Sequence, residues 1–309
     1  MEKLPLVIIN SPTATGKTGL AVRLALEFGG EIISADSMQV YRYLDIGTAK
    51  PTMEERGGIR HHMIDVVNPD EEFNAALFAE KARTLINELA GQGKPVFVVG
   101  GTGLYIRALL KGIIDTPDVD EKIRDHYRGL RDTRGKPYLY DLLLQRDAAA
   151  AAQINPNDAV RVIRALEVLD QTGESITVKQ KKHAFQDSPY RTCKIGIQME
   201  RKELKRRIEQ RTDKMIADGL LDEVKKVLAM GYSENLKSLQ SLDYKQVIGF
   251  INKKYDWQGC VDLIKRDTWQ YARRQMTWFN ADKEIKWFAP EATEAIQNKV
   301  SEFWKTVCV

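Results

Sequence analysis

The chain has 309 residues, of which 43% are hydrophobic and 29% are charged, and its formal net charge is +4. This length and composition suit one large or two modest globular domains, and they exclude a disordered or membrane-embedded chain. No apolar run approaches the roughly 18 residues of a membrane-spanning helix. The mild positive charge permits a nucleic-acid partner but does not by itself indicate one.

The N-terminus and the cysteines indicate the cellular compartment of the protein. The segment Met1–Pro5 leads directly into the first predicted strand, so we expect no signal or transit peptide. Cys193, Cys260 and Cys308 are isolated thiols without C-x-x-C spacing, which argues against a disulfide framework or a zinc finger. We therefore expect a cytoplasmic protein without membrane contact, and we expect a monomer.

The first motif is Ser11–Thr18, which follows the apolar run Leu6–Ile9 and precedes a helical pattern. Strand, loop and helix in this order are the setting of a phosphate-binding P-loop, whose pattern G-x-x-x-x-G-K-[ST] is met except that Ser11 replaces the first glycine. Loop amides and a helix N-terminus attract anionic oxygens, Lys17 adds positive charge, and the Thr18 hydroxyl can ligate Mg²⁺. The alternative is an ordinary strand-to-helix turn with a capping threonine.

The first third of the chain predicts an α/β fold with a parallel sheet. Leu6–Asn10, Glu31–Ser34 and Pro95–Val99 are short strands, and Phe73–Leu89 has apolar residues at helical spacing. Short buried strands that alternate with helices indicate a parallel sheet covered by helices on both faces. In such folds ligands bind at the carboxyl ends of the strands.

After about Asp115 the composition changes, and residues 116–192 read as several helices, including Ala159–Leu169 with a cap at Asn155–Asp158. Lys194–Gln198 returns to the sheet, and from residue 201 the chain is helical again, ending with a long helix near 259–280. We predict an α/β core with a P-loop NTPase-like parallel sheet, formed by residues 1–115 and 193–309. Residues 116–192 then form an all-helical insertion domain that can move against this core.

Asp36 follows the second predicted strand and is expected near the P-loop. One interpretation makes it a general base or a water-mediated ligand of Mg²⁺, and the other makes it a helix N-cap. Gly100–Gly103 follows the third strand, where glycines permit a close ligand approach and Thr102 presents a hydroxyl. That strand carries no acid at its end, which argues against nucleotide hydrolysis. His61 and His62 have no third metal ligand at useful spacing, which favours a structural role.

Two segments are rich in basic residues. Residues 201–214 contain seven cationic and three acidic residues, and Lys265–Phe279 combines arginines with tryptophans at helical spacing. Arginine and tryptophan on adjoining helix faces suit phosphate contact and base stacking. The alternative is that the tryptophans are core residues and the arginines are solvated.

The motifs taken together resemble one family, the bacterial tRNA dimethylallyltransferases, also called tRNA isopentenyltransferases. The matching segments occur in order over nearly the whole chain: Ser11–Thr18, Asp36–Tyr41, Leu44–Pro51, His61–Asp65, Gly100–Leu110, Asn155–Val168, Gly219–Val224 and Thr268–Phe279. The resemblance implies transfer of a dimethylallyl group from its diphosphate to N6 of the adenosine just 3′ of the anticodon, with Mg²⁺ as cofactor. It implies dimethylallyl diphosphate and the tRNA anticodon stem-loop as partners.

The resemblance also implies roles for individual residues. The expected catalytic residues are Asp36 as base, Thr102 and Lys17, and Thr18 is the expected metal ligand. The expected diphosphate ligands are Thr13, Ala14, Thr15, Gly16, Lys17, Thr18 and Arg211. The expected tRNA contacts are Asp36, Ser37, Met38, Gln39, Thr102, Arg124, Arg161, Arg164, Lys245, Arg273 and Arg274.

The chain departs from the family pattern at three positions. Ser11 replaces the first P-loop glycine, Val160 stands where a polar residue is expected, and Asp243 stands where glycine is usual. The zinc finger of eukaryotic relatives is absent.

Three other functions compete with tRNA prenylation. A small-molecule P-loop kinase predicts an acid near the third strand, which the sequence lacks. A prenyltransferase acting on free AMP or ADP needs neither the insertion nor the basic C-terminal helix. A non-catalytic tRNA-binding protein needs no intact Lys17, Thr18 and Asp36.

Overall fold

The computed structural model describes residues 3–114, 116–183 and 188–306, and only the backbone of residues 182 and 183. Asp115 and Cys308, which the sequence analysis singled out, lie outside these residues. The chain forms two compact units, one of Met1–Leu110 with Ser188–Val309 and one of Lys111–Asp187. No helix within the described residues is long and apolar enough to cross a membrane.

The first unit is built on a six-stranded sheet in which every neighbouring pair is parallel. Its strands are β1 (Leu4–Asn10), β2 (Glu31–Ser34), β3 (His61–His62), β4 (Val96–Gly100), β5 (Tyr190–Ile197) and β6 (Lys286–Phe288). They lie in the order β3-β2-β4-β1-β5-β6, so β1 is central and its carboxyl end meets those of β4 and β5.

Helices connect these strands and cover the sheet. Those of the first unit are α1 (Lys17–Phe28), α2 (Ala75–Gly91), α3 (Gly103–Lys111), α8 (Arg201–Ala217), α9 (Leu220–Ala229), α10 (Tyr244–Ile251), α11 (Trp257–Asn280) and α12 (Thr293–Lys305). Those of the second unit are α4 (Glu121–Arg146), α5 (Ala148–Ala151), α6 (Ala159–Thr172) and α7 (Ile176–His183).

Successive residues of β1 enter different hydrophobic clusters on the two faces of the sheet. Leu6 and Ile8 pack into one cluster, and Val7 and Ile9 pack into another that includes residues of α1 and α12. All four side chains are fully buried. A strand that is buried on both faces reads as a continuous apolar run, which explains why the sequence shows no polar alternation there.

The prediction of an α/β fold with a parallel sheet is confirmed, but its two edge strands were missed. β3 has two residues, both histidines, and β6 has three residues that are partly exposed. Runs this short carry no periodic signal. The sequence analysis expected the chain to return to the sheet at Lys194, but β5 begins earlier, at Tyr190. Residue 192, the expected end of the insertion, therefore lies within β5.

The two histidines of β3 have protein partners. Nε2 of His62 contacts a carboxylate oxygen of Glu31 at 2.6 Å, and Nδ1 of His61 lies 3.0 Å from the carbonyl oxygen of Ile59. Lys94 also pairs with Glu31. These contacts support the structural interpretation of the histidine pair.

A buried acid organises the second unit. Glu167 on α6 is fully buried and accepts hydrogen bonds from Nε and Nη2 of Arg124 at 2.6 and 3.0 Å, and from Nη1 of Arg164 at 3.1 Å. The first contact joins α4 to α6. Arg161, in contrast, is 64% exposed and contacts only Asp158 among the described salt bridges. Two of the arginines expected on tRNA are therefore held by Glu167 in this structure.

Replacing Glu167 with alanine should destabilise the second unit, because it leaves two arginines without their buried counter-charge. Breaking a buried ion pair costs about 3 kcal/mol, so amide hydrogen exchange in peptides from residues 121–172 should accelerate by roughly 100-fold. Hydrogen exchange is the suitable measurement because all five tryptophans lie in the first unit. Arg161→Ala is the control, and equal acceleration in both variants would contradict the role assigned to Glu167.

Candidate active site

A cavity of about 450 Å³ lies at the carboxyl ends of the central strands, and all its lining residues belong to the first unit. Ten residues that the sequence analysis assigned to a site line it: Thr13, Lys17, Thr18, Asp36, Ser37, Met38, Gln39, Arg211, Lys245 and Arg274. They come from five separate parts of the chain. The fold therefore brings four of the seven expected diphosphate ligands, Thr13, Lys17, Thr18 and Arg211, to one cavity with Asp36.

The P-loop leaves the first amides of α1 without a side-chain cap. Gly16 precedes the helix with φ of 88°, and Ala14 also has a positive φ of 64°. Thr15 donates its hydroxyl hydrogen to the carbonyl oxygen of Pro12 at 2.9 Å. Because no side chain caps α1, the capping interpretation of this motif fails and the helix N-terminus remains suited to an anion.

Ser11 is a structural part of this loop. Its hydroxyl, which is fully buried, accepts a hydrogen bond from the backbone N–H of Ile197 at 2.8 Å. This bond ties the end of β1 to the end of β5. The serine that departs from the P-loop pattern thus connects two neighbouring strands of the sheet.

Two cations face the cavity from different elements, Lys17 at the start of α1 and Arg211 on α8. Burial, and then the charge of Arg211, lower the pKa of Lys17 to about 8, although Asp36 opposes this shift. Burial also lowers the pKa of Arg211, which Asp243 and Asp36 oppose. Both cations are thus partly desolvated, a state that an anionic ligand relieves.

Asp36 has one oxygen engaged by the backbone and one without a hydrogen-bond partner among the described residues. Its Oδ1 accepts from the N–H of Met38 at 2.9 Å and from the N–H of Gln39 at 3.3 Å. No helix directly follows Asp36 among the described residues, since residues 37–40 form a turn, so the helix N-cap interpretation is wrong. The turn engages one oxygen, and the other oxygen is left for a ligand.

Thr102 supports the loop that carries Asp36 and is not among the lining residues. Its hydroxyl oxygen accepts from the N–H of Ser37 at 3.0 Å, and its O–H approaches Oγ of Ser37 at 3.4 Å. Tyr271 lies in the same cavity, and burial followed by the charge of Asp36 raises the pKa of its phenol. The expected contact of Thr102 with adenosine stays a prediction.

Gln275 on α11 joins two loops of the site, a role that the sequence analysis missed. Its Oε1 accepts from the N–H of Thr13 at 2.9 Å, and its Nε2 donates to the carbonyl oxygen of Gly101 at 2.9 Å. These partners are 262 and 174 residues away in the chain. A contact at such separation leaves no local sequence signal.

The glycines after β4 make room for protein groups. A Cβ at Gly100 would lie 2.0 Å from the carbonyl oxygen of Ala35, and one at Gly101 would lie 2.3 Å from Nε2 of Gln275. A Cβ at Gly103 would lie 2.2 Å from the ring of Trp278. The close neighbours of these glycines are thus other parts of the chain, whereas the sequence analysis expected a ligand.

Two further side chains hold the segment that follows Asp36. The amide of Gln39 accepts from the hydroxyl of Ser34 and donates to two backbone carbonyls. Glu223 on α9 accepts from the N–H groups of Asp45, Ile46 and Gly47 at 2.7–3.1 Å and from the hydroxyl of Tyr244 at 2.7 Å. The sequence analysis had quoted Glu223 within a motif without giving it a role.

Not every predicted site residue lines the main cavity. Thr15 and Gly16 line a second cavity of about 280 Å³, Ala14 packs against a small cluster that includes residues of α8 and α11, and Arg273 is exposed on α11. Arg124, Arg161 and Arg164 belong to the second unit.

The described residues contain no cluster of three or more His, Cys, Asp or Glu side chains suited to a metal ion. Thr18, which lines the cavity, offers a single hydroxyl oxygen. This donor set fits Mg²⁺, which keeps several waters and is commonly held by one or two protein groups together with substrate phosphates.

Comparison with known proteins gives consistent matches. The family model described as IPP transferase matches residues 39–282. The chain is 53% identical to a tRNA dimethylallyltransferase 2 of Syntrophus aciditrophicus over 98% of this chain and 97% of that protein. It is similar to the tRNA isopentenylpyrophosphate transferase of Bacillus halodurans, with a TM-score of 0.73, 38% identity and coverage of 99% and 98%. It is also similar to a eukaryotic dimethylallyltransferase acting on tRNA, with a TM-score of 0.79, 26% identity and coverage of 97% and 77%.

Replacing Gln275 with alanine should lower the free energy of unfolding of the first unit by about 2 kcal/mol, because it leaves a buried amide and a buried carbonyl without partners. Urea unfolding followed by tryptophan fluorescence measures this, since every tryptophan lies in that unit. Gln270→Ala on the exposed side of the same helix is the matched control. Equal stability of the two variants would show that the Gln275 bridge contributes nothing.

Proposed function

This chain belongs to the IPP transferase family, and we propose that it transfers a dimethylallyl group from dimethylallyl diphosphate to N6 of the adenosine just 3′ of the anticodon in tRNA. The observation that carries this proposal is the composition of the main cavity. The reaction needs cations that stabilise the diphosphate leaving group and a base that accepts a proton from the amine. Lys17, Arg211 and Asp36, which can supply these groups, line the same cavity.

The cationic part of the cavity suits the leaving group. As the allylic C–O bond breaks, negative charge develops on the departing diphosphate, and groups already aimed at it lower the barrier. The free N-terminus of α1, Lys17 and the forked guanidinium of Arg211 supply such groups. Thr18 would hold Mg²⁺, which neutralises phosphate charge when bound. No acid that organises a hydrolytic water is needed, because no water attacks.

Asp36 is the candidate base for the second half of the reaction. The amine of adenine is a poor nucleophile because its lone pair is delocalised into the ring, so a base that accepts an N6 proton during C–N bond formation assists attack. One oxygen of Asp36 is fixed by the amides of Met38 and Gln39. The other oxygen then has a defined direction and remains available to accept that proton.

The RNA substrate must deliver an unstacked base to this cavity, since the target amine lies in a single-stranded loop. Lys245 and Arg274 line the cavity and are exposed, and Arg273 is exposed on the same helix as Arg274. Such residues suit contacts with the phosphates of the anticodon loop. Arg161 is the most exposed of the three arginines proposed for tRNA in the second unit. We place the reaction in the cytoplasm, where this substrate is available.

Incubation with dimethylallyl diphosphate, Mg²⁺ and an unmodified anticodon stem-loop tests the function directly. Mass spectrometry of the digested RNA should show one added C5H8 unit on the adenosine 3′ of the anticodon. Parallel reactions with free AMP, with ADP and with ATP plus small-molecule acceptors cover the competing functions. If the RNA stays unmodified, prenylated AMP would indicate a prenyltransferase acting on free nucleotides, and consumed ATP would indicate a small-molecule kinase. RNA binding without any reaction would indicate a non-catalytic tRNA-binding protein.

Asp36→Asn removes the base but keeps the turn, since the amide oxygen of asparagine still accepts the two backbone hydrogen bonds. We expect the single-turnover rate to fall by about 10²–10⁴, while the dissociation constant for the stem-loop changes by less than about threefold. Asp36→Ala is the companion variant, which removes the base together with the two hydrogen bonds to the turn. A rate near that of the wild type in Asp36→Asn would exclude proton transfer to this carboxylate.

A further inference from the structure

Asp243 stands immediately before α10, and its backbone conformation is costly for any residue with a side chain. Its φ of 73° and ψ of −50° lie outside the usual regions for an L-residue. An aspartate at this position ordinarily caps its helix, but α10 has no side-chain cap. The carboxyl group instead lines the main cavity, and the residue is only 5% exposed.

The groups around this carboxyl come from three helices. Arg211 faces it from α8, Lys245 from α10, and Asp267 from α11. Thr268 donates its hydroxyl hydrogen to Oδ1 over a long 3.4 Å. No salt bridge within 4.0 Å involves Asp243 in the part of the chain that the structure describes. The carboxyl is therefore buried close to cations without being paired to one.

The other titratable neighbours carry no charge near neutral pH. Burial raises the pKa of the Cys260 thiol to about 11 and raises that of the Tyr244 phenol well above its ordinary value. Among the described residues, Arg211, Lys245 and Asp267 are the charged groups that act on this carboxyl. Burial raises the pKa of Asp243 to about 7; Arg211 and Lys245 oppose the shift, and Asp267 adds to it.

A diphosphate bound by Arg211 changes the balance at Asp243. It brings several negative charges into the cavity that Asp243 lines, so an ionised carboxylate is repelled by the ligand. A protonated carboxyl is not repelled, and its O–H can donate a hydrogen bond to a phosphate oxygen. With a pKa of about 7, Asp243 is therefore about half ionised at pH 7 when no anion is bound, and a bound diphosphate favours the neutral acid.

We propose that Asp243 is a diphosphate-binding residue that takes up one proton from the solvent as dimethylallyl diphosphate binds, and returns it when the diphosphate product leaves. This inference rests on the proposed function, because it requires that the cavity accept the prenyl donor. The affinity for the donor then depends on pH through the ionisation of Asp243.

Isothermal titration calorimetry with dimethylallyl diphosphate and Mg²⁺, in the absence of RNA, measures the coupled proton. Titrations at pH 7 in two phosphate-free buffers of different ionisation enthalpy give the number of protons taken up. The wild type should take up about half a proton more than Asp243→Asn, since a carboxyl with a pKa of about 7 is half ionised at that pH. Asp267→Asn removes another acid of the same cavity and should keep most of this excess.

The dissociation constant provides a second readout. Between pH 7 and pH 8 the ratio of the wild-type constant to that of Asp243→Asn should rise about fivefold, because the wild type must bind an increasingly scarce proton. Lys17, whose pKa is about 8, and the ligand itself also titrate near this range. Both are common to the two proteins, so they cancel in the ratio.

Each outcome has a definite meaning. Tight binding with equal proton uptake in wild type and Asp243→Asn overturns the inference and leaves the proposed function standing. An affinity loss in Asp243→Asn that occurs only with Mg²⁺ would make Asp243 an ionised metal ligand, which also overturns it. No donor binding by the wild type would reject the proposed function itself. Should Asp243→Asn fail to fold, Asp243→Gly, which tolerates a positive φ, carries the same expectation.

Discussion

Lys17 and Arg211 determine what this molecule can bind, because they bring two positive charges into one partly desolvated cavity. They come from two helices, α1 and α8, that are far apart in the sequence, and the fold holds them there without a salt bridge among the described residues. Burial and the neighbouring guanidinium lower the pKa of Lys17 to about 8. An unfilled site of this kind is electrostatically unfavourable, and a ligand with several negative charges relieves it. The P-loop, α8 and the acids Asp36 and Asp243 surround the cavity that such a ligand would occupy.

The positions of these charges depend on close contacts between backbone segments. Gln275 joins the P-loop to the loop after β4 through two hydrogen bonds, and Ser11 joins β1 to β5. Glycines permit the loop after β4 to approach Ala35 and Trp278. Because each contact is short and buried, the loops cannot shift separately. Uncharged groups thus fix the geometry of the site, and the charged side chains are the groups proposed to bind the substrate and to transfer the proton.

The acids of the cavity perform different tasks according to their surroundings. Asp36 is partly buried, keeps one oxygen on backbone amides, and offers the other to a substrate. Asp243 is buried, has one long hydrogen bond, and has a pKa raised to about 7. The two proposed roles, Asp36 as proton acceptor and Asp243 as neutral ligand, agree with the deeper burial of Asp243, because burial disfavours the charged form of that carboxyl.

The sequence by itself determined the elements with strong local patterns. β2 was predicted with its observed limits, α6 with its start at Ala159 and its Asp158 cap, and the P-loop with Lys17 and Thr18. These succeed because apolar runs, helix caps and phosphate loops are encoded by adjacent residues. The edge strands β3 and β6 were missed because two or three residues hold no periodicity.

Only the tertiary structure decided which side chains meet. The contacts of Gln275 and Glu223 and the pairing of Arg124 with Glu167 could not be derived from spacing, because the partners lie from 21 to 262 residues apart. At Asp36 the structure shows a turn where the sequence also allowed a helix N-cap. Local sequence specifies backbone conformation through steric and hydrogen-bonding preferences, whereas a functional site is defined by contacts that form only when distant segments pack together.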